Sequence, residues 1–553
     1  MATCALGIDF GTNSVRALIV DTADGRDVAM AVAAYPSGKD GILLDAKNHH
    51  VARQSPVDYA VTLEQVVLAA MRKALDAGSF SAADIVGIGV DTTGSTPIPV
   101  DAQGRPLCLQ PRFKDNLNAY AWLWKDHTSF AEASRITEAA RTLRPQYLAK
   151  CGGTYSSEWY WSKLWHCLNV DPELFAAAAA WLEMEDYIPA LLCGITDPRA
   201  VPRGICAAGH KALYHASWGG YPDEEFLRSL DPRLASLRQF LPASALTLDH
   251  KVGCLCKEWA LKLGLPEDVA VAVGAFDAHL GAVGAGVRPG TLVKIIGTST
   301  CDVMVAPTSA PLPDIPGVCG IVDGSVLPGF YGIEAGQSAV GDIFRWFVNH
   351  VCEGDDALQI RLADQARTLK PGQSGLLALD WNNGNRTILV DPQLSGLMVG
   401  MTLHSTRAEM YRALIEGTAF GALTIINRIE EYGVPIERVV CCGGIAEKND
   451  LFMQIYADVL NRPMFVSRSA QTCALGSAIA GALAAGVYRS GLEAVAAMTG
   501  VKAKVFHPIP ENVAVYRRLY SLYRALHDAF GTDGNPSVRP VMKALLALKA
   551  EVV

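Results

Sequence analysis

Several absences narrow the function of this 553-residue chain before any motif is read. No apolar run reaches the roughly 18 residues that a membrane span requires, so no spanning segment is expected. The nearest candidate, "ALGSAIAGALAAGVY" at 474–488, is short and rich in Gly and Ala, and predicts a tightly packed internal helix. No block of Lys or Arg interrupts a net charge of −8 and a pI of 5.9. Nucleic acid and anionic membranes, which need a concentrated basic footprint, are therefore not expected as partners. The opening residues include Asp9 and lack a basic start and a long apolar core, so no secretory signal is predicted. The 14 cysteines are scattered without a C-x-x-C; Cys254 and Cys256 form a C-x-C, and Cys441 and Cys442 adjoin on an apolar run. Buried, reduced thiols and a cytoplasmic location are the expectation. No histidine pair stands at i, i+4, so no metal cage is predicted.

The common nucleotide motifs are missing too. There is no G-x-x-x-x-G-K-[ST], and the "DFG" at 9–11 lacks the companions that a protein kinase would carry. "GAVGAG" at 281–286 has the wrong glycine spacing for a dinucleotide loop and sits inside a helix-like stretch.

What is present is a repeated hairpin. "LGIDFGTNSVRALIVD" (6–21) sets Asp9 near the end of one predicted strand, before a Gly-Thr-Asn-Ser turn and a second strand. A third run reaches Tyr35, and Ser55-Pro56 then opens a predicted helix with Val61, Val66, Ala70, Met71 and Leu75 at helical spacing and Gly78 as its stop. "IVGIGVDTTGST" (85–96) follows as a strand ending in Asp91. The order β-β-β-α-β predicts a mixed sheet with its fourth strand parallel to its first, Asp9 and Asp91 emerging at one edge. "LVKIIGTSTCDVMV" (292–305) restarts the scheme with Ile295 in place of Asp9. A third strand over "VLPGFYGIE", a helix at about 337–349, a Thr406/Glu409 capping box opening a helix to Gly433, and the strand "RVVCCGG" complete the copy. The chain is thus predicted to be α/β, two copies of one unit facing each other across a nucleotide. Turns rich in Gly and Ser/Thr offer N–H and hydroxyl donors to phosphates, and one acid suffices to hold a divalent cation against them.

Further residues invite chemical roles. Asp277, in "VAVAVGAFDAHLGAVGAG", either caps a helix of small residues or acts as a general base aimed into the cleft; a helix N-terminus would favour its ionised form in both cases. Trp122 and Trp124, two apart on a predicted strand, would share one face and precede Lys125, Asp126 and His127. "YSSEWYWSKLWH" (155–166) reads as a helix packed on the core, and Lys211 in "AAGHKALYH" as a lysine more often solvated than functional. Glu334 ends a strand just before Gly-Gln-Ser.

In order and along nearly the whole chain, "GIDFGTNSVRALIVD", "GVDTTGSTPIPVD", "LWKDHT", "YSSEW", "AGHKALYHASWGG", "GAFDAHLGAVGAG", "KIIGTSTCD", "GIEAGQSAVGD" and "CCGGIAEKNDLFMQIYADVLNRP" resemble the FGGY carbohydrate kinases of the actin/hexokinase-like superfamily. The likeness is greatest to the branch acting on L-ribulose. The Gly94-Ser95-Thr96 loop departs from the Arg-Glu pair of the glycerol branch. The resemblance implies two ribonuclease-H-like domains with a cleft between them: 1–285 for sugar, magnesium and the base, 286–515 for ATP, and a helical tail at 516–553. It implies Asp277 as the base and Asp9 as the residue positioning Mg²⁺ through water. Gly11-Thr12 and Gly297-Thr298 would hold the phosphates. Gly443, Gly444 and Asn449 would lie at the adenosine, with Lys448 standing where some relatives have the first of two asparagines. Trp124, Lys211, Glu334, Asp277 and backbone at Gly94 would hold the ketose. The implied reaction is ATP-dependent phosphorylation of L-ribulose in L-arabinose catabolism. The alternatives are a kinase for D-ribulose, xylulose or a polyol, or a non-catalytic ATP- and sugar-binding sensor. The tail would pack back on the second half or serve contacts between subunits, leaving a homodimer open.

Overall fold

The computed structural model describes residues 3–78 and 80–552. Residues 1, 2 and 553, at the ends of the outer two ranges above, lie outside them.

Two sheets of the same plan organise the chain. The first contains β1 (Cys4–Phe10), β2 (Ser14–Asp21), β3 (Asp27–Ala34), β4 (Ile85–Thr92), β5 (Lys251–Cys254), β6 (Ala270–Ala272) and β7 (Ala275–Phe276) in the order β5-β6-β4-β1-β2-β3, with β7 extending β6 along β4. The meander β1-β2-β3 is antiparallel, and β4 runs parallel to β1. Helix α1 (Pro56–Asp76) makes the crossover, with Ser55 at its N-cap and Gly78 at φ +78° beyond its end. Its buried stripe is Tyr59, Leu63, Val66, Val67, Ala70 and Ala74, whereas the expected Val61 and Leu75 face solvent. The stripe is set by the 3.6-residue period running from Tyr59, an aromatic that the aliphatic pattern passed over.

Helices α2 (Tyr160–Val170) and α3 (Ile205–Lys211) fall between β4 and β5, and α4 (Asp277–Gly284) follows β7 and leads to the second sheet. The second sheet contains β8 (Gly290–Ile296), β9 (Thr300–Pro307), β10 (Gly320–Asp323), β11 (Phe330–Ala335), β12 (Ile436–Cys442), β13 (Met464–Ser467) and β14 (Val501–Phe506), ordered β10-β11-β9-β8-β12-β13-β14. The run β11-β9-β8-β12 repeats β3-β2-β1-β4, with β10 added at the edge beyond β11, and β12 runs parallel to β8 as β4 does to β1. Helix α5 (Gly341–Trp346) starts later than predicted. The reason is distant in sequence: Gln337 N–H is taken by Thr300 Oγ1, and the amides of Val340, Gly341 and Asp342 bond the carbonyls of Thr298 and Gly297. Helix α6 (Arg407–Glu431) opens with the Thr406/Glu409 capping box, and Gly433 follows at φ +88°. Helices α7 (Asp450–Leu460), α8 (Thr472–Ala484), α9 (Pro510–Gly531) and α10 (Val541–Val552) complete the elements used here. Helix α9 returns over α6 and α7, burying Tyr516 and Tyr523.

The halves meet through α4 and α8. Helix α8, from the second half, lies on β1 and β4 of the first sheet and against α4. A Cβ at Gly7, Gly87 or Gly89 would overlap the α8 carbonyls of Ala474, Gly481 and Ser477 respectively. A Cβ at Gly476 would overlap the carbonyl of Leu280 on α4. The Gly/Ala composition of 474–488 therefore buys backbone-to-backbone proximity on two sides. One apolar cluster draws Ala5, Leu18, Val293, Val303, Val440, Leu475 and Ile479 together, so the interface is a core shared by both sheets.

Candidate active site

The first sheet delivers two acids side by side. Parallel pairing of β1 with β4 puts Asp9 beside Asp91, and antiparallel pairing with β2 puts Asp9 beside Arg16. Arg16 donates to Asp9 Oδ2 at 2.9 Å. Asp91 is fully buried; its Oδ2 accepts from Ser477 Oγ on α8 at 2.6 Å, and its Oδ1 has no hydrogen-bond partner among the described residues. Burial first, and Asp9 second, push the Asp91 carboxyl well above the usual range. An orphaned carboxylate oxygen next to a second acid is a hard-oxygen donor set that fits magnesium. In the second sheet the corresponding pair is Ile295 beside Cys442, so the acids occur in one half alone, as the two hairpins predict.

Asp277 is the first residue of α4, with Phe276 at the N-cap. The expectation that it caps the helix is corrected: its Oδ1 accepts only from the adjacent Ala278 N–H at 2.7 Å, because the extended backbone at Phe276 already begins the helix. The carboxyl is half-buried, and burial, followed by the charge of Asp9, raises it to about 7. Asp9, Asp91 and Asp277 all act electrostatically on Cys473 at the start of α8, as does Cys442 from the second sheet. The carboxyl edge of the first sheet and that of the second thus converge where α4 and α8 begin.

Gly94 packs against the Phe276 ring, which a Cβ would penetrate. Trp124 does not share a face with Trp122: the short strand Ala121–Trp122 ends before it, and Trp124 falls in a turn. Trp122 is buried under the Arg53 guanidinium, 3.5 Å from the ring centroid. Trp124 instead donates its indole N–H to Thr12 Oγ1 at 3.1 Å, joining the Gly11-Thr12 turn to a neighbouring wall. Lys211 is not solvated. At the end of α3 it is 8% exposed, and its Nζ lies 3.3 Å from Glu334 Oε2 across the two halves. Burial opposes the Glu334 charge, but the Lys211 ammonium above all holds its carboxyl well below the usual range. The Lys211 ammonium also sits 5.3 Å over Trp159 and 5.7 Å over Phe276.

The β8–β9 turn exposes Gly297 and Thr298. Gly443, at φ +100° after β12, lies against Ile296 at the same edge, where its conformation excludes a side chain. Gly444 faces open space, and Asn449 caps α7 by accepting from Phe452 N–H at 3.1 Å.

Residues 4–284 match the N-terminal domain of the FGGY family of carbohydrate kinases, and residues 292–485 match its C-terminal domain. The chain belongs to the FGGY family of carbohydrate kinases. It is an ATP-dependent sugar kinase. It is 41% identical to a ribulokinase of Halalkalibacterium halodurans, covering 99% of this chain and 97% of that one. A ribulokinase of Geobacillus thermodenitrificans is also 41% identical, with 98% and 96% covered. In structure the kinase is similar to a gluconate kinase from Lactobacillus acidophilus, with a TM-score of 0.78 at 20% identity over 96% of this chain and 99% of that one; this shows the fold.

Several residues of this FGGY kinase site were not singled out from sequence. Arg16 carries no sequence signal beyond its place in the first hairpin. His210 and His279 escaped because they are 69 residues apart: His210 Nε2 lies 3.0 Å from Ser325 Oγ and 3.2 Å from His279 Nε2. With Glu334 they form a buried group of ligand type, which the absence of an i, i+4 pair could not reveal. The Lys211 ammonium already pairs with the same Glu334 oxygen, and burial holds His279 down at about 4, so the trio is a neutral-imidazole support for the ion pair. Glu183 accepts from Thr96 N–H at 2.8 Å and from Ser95 Oγ, bracing the loop after Gly94.

Proposed function

We propose that the chain transfers the γ-phosphoryl group of ATP to the terminal hydroxyl of L-ribulose, giving L-ribulose 5-phosphate in L-arabinose catabolism in the cytoplasm. The observation that carries the chemistry is Asp277, a half-buried carboxyl raised to about 7 where the two sheet edges converge. The relatives named ribulokinase, matched over nearly the full chain, support the substrate. Among the described residues no helix is long and apolar enough to cross a membrane, which accords with that location.

In this reading the ketose lies between the Gly94 backbone, Trp124, and the Lys211–Glu334 pair, its terminal hydroxyl toward Asp277. Lys211 donates to sugar oxygens and Glu334 accepts from sugar hydroxyls. Gly11-Thr12 and Gly297-Thr298 hold the phosphates, and Gly443, Gly444 and Asn449 border the adenosine. Asp9, with Asp91 beside it, would hold Mg²⁺, which when bound neutralises charge on the triphosphate. Phosphoryl transfer asks the protein for alignment and charge dispersal rather than covalent chemistry. Asp277 aligns the attacking hydroxyl and accepts its proton as the new P–O bond forms and the bond to ADP breaks. Closure of the halves keeps water from taking the hydroxyl's place. The division at 285 and 515 belongs to this reading, with the first sheet serving sugar and cation and the second serving nucleotide.

ADP release measured across L-ribulose, D-ribulose, the xyluloses, ribitol and glycerol tests the substrate. The highest kcat/KM is expected with L-ribulose; a higher value with any other acceptor overturns the assignment.

A further inference from the structure

Lys163, on α2, is 0% exposed, and its ammonium has no carboxylate within ion-pairing distance among the described residues. It donates instead to three backbone carbonyls: Ser95 at 2.8 Å, Leu123 at 2.9 Å and Trp122 at 3.3 Å. Ser95 directly follows Gly94, and Leu123 directly precedes Trp124. These two segments are distant in sequence and, in the function proposed above, form two walls of the sugar site. Glu183 braces the first segment through Thr96 N–H and Ser95 Oγ, and Asp126, bonded to Arg53 and to Ala52 N–H, braces the second.

Burying an ammonium is costly, and a methionine would fill the same tunnel without that cost. The charge is retained for what it bonds. Three carbonyls converging on one Nζ satisfy all three of its donors; the Leu123 carbonyl fixes the peptide plane leading into Trp124, and the Ser95 carbonyl anchors the residue that follows Gly94. Burial lowers the Lys163 ammonium to about 8, the ordinary consequence of such a site.

We infer that Lys163 is a positioning residue for the pentulose: its ammonium ties the Gly94–Thr96 loop to the Trp122–Trp124 turn and sets the width of the sugar site between them. It touches neither the nucleotide loops nor Asp277. The inference rests on the sugar-site reading proposed above, and two readouts on the full-length chain separate the two. Lys163→Met is expected to raise the KM for the pentulose about tenfold or more, with the KM for ATP within about twofold and kcat within about threefold of the parent. In the same variant, amide exchange in segments 93–97 and 121–126 is expected to accelerate about tenfold, while segment 292–301 keeps its parent rate. Unchanged exchange in both segments overturns the inference, as does a pentulose KM that stays constant or moves in step with that of ATP. If the unmodified enzyme turns over no pentulose, the proposed function fails, and amide exchange still decides the role of Lys163. Should Lys163→Met not be recovered folded, Lys163→Arg decides. A planar guanidinium cannot take the place of Nζ between the three carbonyls, so the pentulose KM must again rise alone, and parent-like constants overturn the inference.

Discussion

Asp277 combines two demands that a carboxylate rarely meets together. As the proposed base it must be ionised to accept a proton, yet weakly enough acidic to hold one. Burial and the neighbouring Asp9 raise it to about 7. A raised carboxyl is protonated below that value and ionised above it, so kcat/KM should climb with pH through about 7. Replacing the group removes both the base and the limb: Asp277→Ala is expected to lower kcat about 10²-fold or more while the pentulose KM changes little. Steady-state kinetics from pH 5.5 to 8.5 on both proteins provide the check. Near-normal turnover, or an ascending limb that survives the substitution, ends the assignment. Glu334 is the counter-case. It is buried, as Asp91 is, but Lys211 keeps it ionised where Asp91 rises. A partner's charge, rather than depth alone, separates the acid that stays charged from the one that does not.

At the level of elements, much was legible in the chain and some was not. The meander, the first crossover helix, the capping box at Thr406 and the restart at 292 followed from alternation, caps and glycine stops, which are local signals. Lys211, the late start of α5 and the turn at Trp124 were misread because non-local partners decide them: Glu334 lies 123 residues from Lys211, and the Gly297–Thr298 carbonyls draw the α5 amides away from an earlier start. The Gly and Ala of α8 were legible as close packing, but not what they approach. Gly476 makes this measurable. A methyl group there would strike the Leu280 carbonyl on α4, backbone that cannot rotate aside. Gly476→Ala should therefore destabilise the protein by about 1–3 kcal/mol or more despite its better helix propensity. Thermal or urea unfolding reads this; a melting temperature equal to or above that of the parent would show that the helices separate freely.

For the molecule as a whole, one plan used twice explains how a single cleft gains two different banks. The order of the four repeated strands is the same on both sides, yet the positions that carry Asp9 and Asp91 in one sheet carry Ile295 and Cys442 in the other. At these positions only one bank is acidic, and in the proposed function the other receives polyphosphate without repulsion from them. The Lys211–Glu334 pair crosses from one bank to the other, so a sugar held there contacts both. The acids of one bank and their absence from the other are legible in the two hairpins, but the Lys211–Glu334 pair is not, since it joins segments that meet only when both halves have formed.

The position of α8 has a consequence for how the protein can be divided. The helix that shields the glycine-lined face of the first sheet, Thr472–Ala484, is encoded far along the chain from that sheet's leading strand, Cys4–Phe10. Cutting the polypeptide at 285 would therefore strip an apolar surface bare instead of releasing a finished domain. Fragment 1–285 produced alone should aggregate, whereas co-production with 286–553 should yield a soluble, active pair, as size-exclusion chromatography and ADP release would show. A stable, monomeric 1–285 would mean that the sheet finds its own cover. Otherwise the gene is bipartite in its repeat but indivisible in its product, each half being finished by a piece of the other.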